Sequence, residues 1–542
     1  MMNSTISVNN TRLILICIIL FTGFLFLFNL GKRDLWAPDE PRYAQVSKEM
    51  RDTGNFIVPH LNSAPYPDKP PLLFWLINLF SLPFGKITAL SARLPSVFAG
   101  IGCCVAIFYL GKYLYQNTRL ALLSSLLLAT SSKFLWMAHR VAFDVLLTFF
   151  VTMAIVCFYK GYSKQKNNKK YYILFYISMA LGVLTKGPIG FILPFLTILI
   201  YLLLKKDLKV LKETRPWLGG LIFVLIVFTW VYLASVYSGR EYAYQILFKQ
   251  NVGRFASSFA HERPFYYYFI NFPINYFPWT VFIPSVVIYL LSKEGREKIR
   301  NILLPLIWFA VVFVFFSFSS GKRDIYVLPL YPASSMIMAW FLNEFIERFR
   351  EDKFKKIGYY PCFTLIGIAT VLTIIFPVVI YKNSPEYIVS TIPFVICLCS
   401  GSIAMFRFIK HSRIIPFLFT VIFVIFFAFN LGTIRAIPLL NQHKSAREIC
   451  DKAKSIIKPD EKLAMFNFFS DHYLFYTNRN YVEVIHAFDA LKQYLNSNER
   501  VFLFIQEKDF KEISKFQELP LFVLAKDSVG HRDILFVSNK DI

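Results

Sequence analysis

The 542-residue chain lacks the short motifs with which many enzymes and pumps hold nucleotides or activate water. It has no GxxxxGK(S/T) phosphate loop, no GxSxG nucleophile elbow and no HExxH zinc helix, so nucleotide-driven pumping and hydrolysis of those kinds lose support. A disulfide framework is also missing. Cys17, Cys103, Cys104, Cys157, Cys362, Cys397 and Cys399 lie in apolar runs, Cys450 alone lies in a polar region, and no CxxC pair offers a metal site. Acidic residues are scarce, 34 against 59 lysines and arginines, which gives a formal charge of +25. In a soluble protein that imbalance suggests nucleic acid. Here the basic residues fall into short loops between apolar runs, without the aromatic interleaving of a nucleic-acid surface, and that partner is excluded. No small-residue cleavage site precedes Gly31, so residues 13–30 read as a retained first helix and not a removable signal. There is no repeat of fixed period and no low-complexity tract.

What is abundant is apolar sequence. Hydrophobic residues make up 56% of the chain and aromatics 18%, and the mean hydropathy is +0.48, well above what a soluble core requires. A window of roughly 19 residues finds about 13 apolar runs. They lie at 13–30, 90–110, 120–131, 141–158, 172–184, 189–204, 218–237, 277–291, 302–317, 325–345, 357–380, 389–406 and 415–429. A further short run, 72–84, sits between Pro71 and Gly85 and reads as an interfacial or re-entrant helix. With the N-terminus inside, the basic clusters at 160–170, 205–215, 293–300 and 348–356 all follow even-numbered runs, as the positive-inside rule requires. The segments 31–86, 132–140, 185–188, 238–276, 319–324 and 381–387 then face the other side. From about residue 430 the composition becomes that of a soluble α/β domain, with β-rich runs at 463–469, 481–485, 501–505 and 534–537. The expected architecture is an α-helical polytopic membrane protein of about 13 transmembrane helices over residues 1–432, with outer loops 31–86 and 238–276, and a small outer C-terminal α/β domain over 433–542.

The first outer loop carries paired acids and bases directly at a membrane face. In Asp34-Leu35-Trp36-Ala37-Pro38-Asp39-Glu40-Pro41-Arg42-Tyr43, either Asp39 or Glu40 can cap a helix with Pro41 in its first turn and Gly54 beyond its end. Tyr43, Val46 and Met50 would form one apolar stripe on the bilayer or on the protein. The carboxylates then sit at the positive end of that helix beside Arg42. Downstream, Asp68-Lys69-Pro70-Pro71 offers another acid and another base, Lys69 meeting a phosphate or snorkelling to lipid headgroups. Further outer-face cations are Arg140, Lys186, Arg254, Arg263, Lys322 and Arg323. Outer loops usually carry few basic residues, so this scatter calls for an anionic partner, either headgroups or a lipid-linked phosphate. Asp144 follows Arg140 by four residues, a spacing that pairs them on one helical face. His261, with an acid such as Asp68, is a candidate ligand pair for a divalent metal. The aromatic run at 265–268 fits an interfacial belt.

Taken together, these motifs resemble a GT-C membrane glycosyltransferase of the protein O-mannosyltransferase superfamily. The similarity is greatest to the bacterial lipid A 4-amino-4-deoxy-L-arabinose transferases. It rests on DEPRYA in an acidic first loop, DKPP, the Arg140/Asp144 spacing, LTKGP around Lys186, His261-x-Arg263-Pro264 before an aromatic run, the Lys322-x-x-x-Tyr326-x-x-Pro329 segment and an outer α/β domain. The resemblance implies transfer of a sugar from undecaprenyl phosphate to lipid A or another envelope glycan or protein acceptor. It places the protein in the bacterial inner membrane, with the active site and C-terminal domain facing the periplasm. Asp39 is implied as the catalytic carboxylate, and Glu40 and Asp144 are candidates beside it. Arg42, Lys69, Arg140, Lys186, Arg263, Lys322 and Tyr326 are the candidate phosphate and acceptor contacts. A divalent metal on Asp68 and His261 is a candidate cofactor, and no nucleotide cofactor is expected. The relatives usually carry Glu where this chain has Asp68. The rival from another class is a transporter of a lipid-linked sugar, which should line a path near the bilayer midplane with charge; here charge gathers at one face.

Overall fold

The computed structural model describes residues 8–163, 169–246, 249, 262–515 and 521–541. It is mostly helical and divides into two compact units. The first comprises residues 1–28, 67–73 and 95–432, and the second comprises residues 29–66, 74–94 and 433–542.

The first unit is built of apolar helices, because a chain in lipid must satisfy its backbone polar groups within each segment. Each of the thirteen apolar runs overlaps a helix among the described residues, although the run 325–345 becomes α-helical only in Tyr331–Arg348. Among the described residues seven helices are long and apolar enough to cross a membrane, or up to nine if each bent pair is one span. One bent pair is α5 (Thr118–Thr130) with α6 (Ser132–Ala138), the other Tyr267–Asn275 with Trp279–Leu291. Next in the chain come α7 (Phe143–Ser163), α8 (Lys169–Lys186) and α9 (Ile189–Lys205), which pack on one another. The α8–α9 hairpin is unusually close. A Cβ on Gly190 would lie 2.1 Å from the carbonyl carbon of Gly182, so only glycine allows the two backbones to meet there. Gly187, at φ +80°, supplies the left-handed turn that ends α8, and Pro188 leads into α9. Steric demand at a tight hairpin thus accounts for the Lys186-Gly187-Pro188 sequence and fixes Lys186 at the last position of α8.

The second unit contains a five-stranded mixed sheet and the first loop. Its main strands are β3 (Lys462–Phe466), β4 (Glu483–Ile485), β5 (Val501–Gln506), β6 (Phe522–Val529) and β7 (Arg532–Ser538), in the order β4-β3-β5-β7-β6. β3 runs parallel to β4 and β5, and β7 is antiparallel to both neighbours. β3 and β5 are continuous apolar runs because both faces are covered: Met465, Phe502 and Phe504 pack on one side, Ala464, Phe466, Leu503 and Ile505 on the other. The sequence pattern locates four of these strands and misses β6. That strand lies at the sheet edge and carries Lys526, Asp527 and Ser528, so it shows no apolar alternation.

In the first loop, α2 (Asp39–Thr53) ends at Gly54 in the left-handed conformation, as expected. Its N-cap, however, is Pro38 and not an acid, and Asp39, Glu40 and Pro41 form the first turn. Tyr43, Val46 and Met50 are buried, but so are Gln45, Ser47, Lys48 and Glu49. The helix is therefore enclosed nearly all round by protein, where the sequence suggested one apolar stripe. A two-residue hairpin follows, β1 (His60–Leu61) and β2 (Ala64–Pro65), with Asn62 and Ser63 at positive φ. Both of those turn amides donate to the Glu49 carboxylate, at 2.9 and 3.0 Å. The short run after Pro71 forms a helix, α3 (Leu72–Ser81), continued by a 3-10 turn to Phe84.

Candidate functional site

In the second unit the acidic loop is fixed by a buried ion cluster. Glu40 is fully buried. Its Oε1 accepts from Arg33 at 3.0 Å and from Arg93 Nε at 2.9 Å, and its Oε2 accepts from Arg93 Nη2 at 3.2 Å and from the Trp36 amide at 3.3 Å. Arg93 also donates to the carbonyls of Leu30 and Asp34, at 2.8 and 2.7 Å. A carboxylate enclosed in this way closes the loop on itself and ties residues 30–36 to the start of α2. Asp39, one residue earlier, is half-buried at the helix end. Trp36 donates from Nε1 to Asn441 at 3.0 Å, and Arg447 pairs with Asp34 at 3.1 Å.

Arg42 lies in the first turn beyond Pro41, with about a third of its side chain exposed. Its Nε donates to Asp471 Oδ2 at 3.0 Å. The two terminal nitrogens make no hydrogen bond among the described residues. Burial opposes the charge on Arg42, but Asp471 beside it more than compensates, and its pKa is raised. Burial raises the Asp471 carboxyl above its ordinary range, with Arg42 holding it back. The neighbouring His472 is buried, and desolvation pushes its pKa down to about 4.

In the first unit the candidate groups form two adjacent sets. Lys186, at the C-terminus of α8, pairs with Asp144 in the first turn of α7, and its ammonium lies 4.4 Å from the centre of the Tyr326 ring. Each charge also opposes the dipole end on which it sits. The expected helical pairing of Arg140 with Asp144 does not form as such, because α6 ends at Ala138 and α7 begins at Phe143. Arg140 lies in the break, its guanidinium 6.0 Å from the Trp136 ring centre. The second set joins two loops. Glu262 bridges Gly321, and Lys322, buried, donates to the Arg263 carbonyl at 3.0 Å and to the Ser319 carbonyl. The Arg263 side chain is exposed. Tyr268 of the aromatic run is buried with its hydroxyl on the Arg323 carbonyl at 3.0 Å, whereas Phe265 and Tyr266 are exposed as a belt would be. Lys133 pairs with Asp324. Tyr268 lies within electrostatic reach of Tyr326 and Asp144, so the two sets adjoin.

Asp68 and Lys69 occupy a half-buried turn before α3. His261 and Arg254 lie outside the described residues. Among the described residues no group of three or more histidines, cysteines or carboxylates comes together to hold a metal ion. Sequence reasoning passed over Arg33, Arg93 and Asp471. Arg93 alone carried a signal, as an arginine within an apolar run.

Residues 11–242 match the dolichyl-phosphate-mannose-protein mannosyltransferase family. An uncharacterized protein of Aquifex aeolicus is 31% identical, over 68% of this chain and 80% of its own length. The undecaprenyl phosphate-alpha-4-amino-4-deoxy-L-arabinose arabinosyl transferase 2 of Proteus mirabilis is 29% identical, over 69% of this chain and 66% of its own. This chain thus spans about two thirds or less of the length of the first curated relatives it matches. The structure of ArnT from Cupriavidus metallidurans bound to undecaprenyl phosphate shares the fold with a TM-score of 0.79, covering 97% of this chain and 98% of that one at 18% identity. With the acidic loop on α2, the Lys186–Asp144 pair and that fold in place, the chain belongs to the GT-C membrane glycosyltransferases of the protein O-mannosyltransferase superfamily, among the ArnT-like members.

Proposed function

We propose that this protein is an inner-membrane glycosyltransferase that takes a sugar from undecaprenyl phosphate and transfers it, on the periplasmic side, to lipid A or another envelope acceptor. The thirteen helical runs are read as thirteen crossings, which puts the C-terminal α/β domain on the same side as the first loop. One observation carries the reading: the first turn of α2 holds a carboxylate, Asp39, and three residues later a guanidinium whose terminal fork makes no hydrogen bond among the described residues. Such a fork matches two phosphate oxygens in bidentate geometry.

In the proposed reaction the acceptor oxygen attacks the anomeric carbon. The bond from that carbon to the phosphate oxygen breaks, and its electron pair leaves with undecaprenyl phosphate. Arg42 stabilises the negative charge that develops on the leaving phosphate. If the acceptor is a hydroxyl, Asp39 receives its proton; an ionised phosphate acceptor has none to give. Glu40 is assigned as the anchor of the loop and not as a reacting group, because two arginines enclose it. The relatives' printed names support 4-amino-4-deoxy-L-arabinose as the sugar, and that identity forms part of the proposal.

The test is direct titration of the full-length protein in lipid nanodiscs with undecaprenyl phosphate, read by native mass spectrometry. Wild type should bind one carrier lipid in preference to bulk phospholipid, and Arg42→Gln should lose that preference. A wild-type protein with no preference contradicts the reading.

A further inference from the structure

α2 carries a second stripe besides its apolar one. Arg42, Gln45, Lys48 and Asp52 recur at intervals of three and four, one face of a helix, and all four meet a single stretch of the C-terminal fold. Arg42 donates to Asp471 at 3.0 Å, Gln45 to the Arg479 carbonyl at 2.8 Å and Lys48 to Asn480 Oδ1 at 2.6 Å, and Asp52 accepts from Asn480 Nδ2 at 3.1 Å. The same stretch reaches the flanks of the loop. The Leu35 amide donates to the Tyr476 hydroxyl at 2.8 Å, and Asn62 and Val482 exchange hydrogen bonds at 3.1 and 2.8 Å. Residues 471–482 therefore serve as a ruler along the acidic loop.

Asp471 differs from the other contacts in where it acts. Only 6% of its side chain is exposed, and its Oδ1 has no hydrogen-bond partner among the described residues. It takes the Nε–H of Arg42 from the side, a hydrogen that an end-on fork of the two terminal nitrogens does not use. Held there, the fork has its direction set before any anion arrives.

We propose that Asp471 is a positioning residue for Arg42, so that the C-terminal α/β fold orients the phosphate-binding guanidinium and forms part of the scaffold of the transfer site. This rests on the reading of Arg42 as the carrier-phosphate contact. Without the carboxylate, Arg42 keeps its charge but samples many rotamers, and the cost of ordering it falls on each binding event.

The experiment compares wild type, Asp471→Asn, Asp471→Glu, Arg42→Gln and the Asp471→Asn/Arg42→Gln double variant, all as full-length protein in nanodiscs. It measures undecaprenyl phosphate affinity and the thermal midpoint. Asn480→Ala, which breaks a neighbouring contact that does not touch Arg42, reports what loosening the ruler does by itself. Asp471→Asn should weaken carrier binding about tenfold, the order expected when one charge-assisted hydrogen bond no longer fixes a binding group. Asp471→Glu should recover part of the loss, and Asp471→Asn should add nothing once Arg42 is gone. If Asp471→Asn weakens binding equally in the Arg42→Gln background, or shifts only the midpoint as Asn480→Ala does, the positioning role is overturned while the phosphate reading stands. Wild-type binding by Arg42→Gln overturns both.

Discussion

Replacing Glu40 with alanine tests whether the acidic loop is held by charge or by packing. Glu40 is fully buried and accepts three hydrogen bonds from Arg33 and Arg93, whose side chains are 4% and 0% exposed. Removing the carboxylate leaves two buried guanidinium groups without their counter-ion. Breaking one buried pair by removing a single partner costs about 3–5 kcal/mol, and the carbonyls of Leu30 and Asp34 that still accept from Arg93 keep the loss from doubling. For a cooperative unit of about 170 residues, each kcal/mol lowers the midpoint by about 2–4 °C. E40A should therefore lower the unfolding midpoint of the second unit by about 6–20 °C. The assay is thermal unfolding of the full-length protein in detergent, with a tryptophan signal: Trp36 lies against Arg33, 4.9 Å from ring centre to guanidinium carbon, and reports the loop directly. An unchanged midpoint together with abolished sugar transfer would refute the anchoring assignment and return Glu40 to the reacting groups.

Other consequences are equally open to measurement. The His472 ring is held at about 4, below its ordinary 6.5, so the unfolded chain binds the proton first as pH falls. Stability should be at its full value above pH 6.5 and decline by about 3 kcal/mol down to pH 4, and His472→Gln should flatten urea-midpoint profiles over that window. Asp144→Asn leaves Lys186, with 11% of its side chain exposed, without its counter-ion and should cost up to about 3–5 kcal/mol, whereas the Asp144→Leu/Lys186→Met pair should recover most of it; a double variant no better than the single one would contradict this. Gly190→Ala forces a Cβ against the Gly182 backbone, and the yield of folded, monodisperse protein should fall sharply while Gly23→Ala, with open space around it, changes nothing.

The helices of the membrane part were legible because length and apolarity decide where helices form in lipid, and every apolar run overlaps a helix, although only seven to nine of the described helices are long and apolar enough to cross. The C-terminal strands were legible where both faces are buried and illegible at the edge, where β6 has no reason to alternate. Asp39 and Arg42 stood out as charge at a membrane face. Their supports did not. Asp471 sits 429 residues beyond Arg42 in an ordinary polar stretch, and nothing local distinguishes it from a solvated acid. Arg93 shows the opposite case: an arginine in an apolar run demands a partner, although the sequence does not say that the partner is Glu40. The spacing of Arg140 and Asp144 misled because the rule of four holds only within one helix, and the chain breaks at residues 139–142. The polar stripe at 42, 45, 48 and 52 is a helical face like the apolar one at 43, 46 and 50, but a polar face at a helix surface is ordinarily solvated, so its packing against the C-terminal fold leaves no local signal.

The most direct test of the central claim is mass spectrometry of lipid A and total envelope glycans from cells carrying the intact gene, lacking it, or carrying Asp39→Ala, with the variant's abundance in the membrane checked in the same samples. The proposed mechanism predicts a sugar adduct in the first strain, on lipid A or on another envelope acceptor, that disappears equally in the other two although the Asp39→Ala protein is present at wild-type level. Glycans identical in all three strains, with only the distribution of carrier lipid altered, would contradict it and favour transport of the lipid-linked sugar.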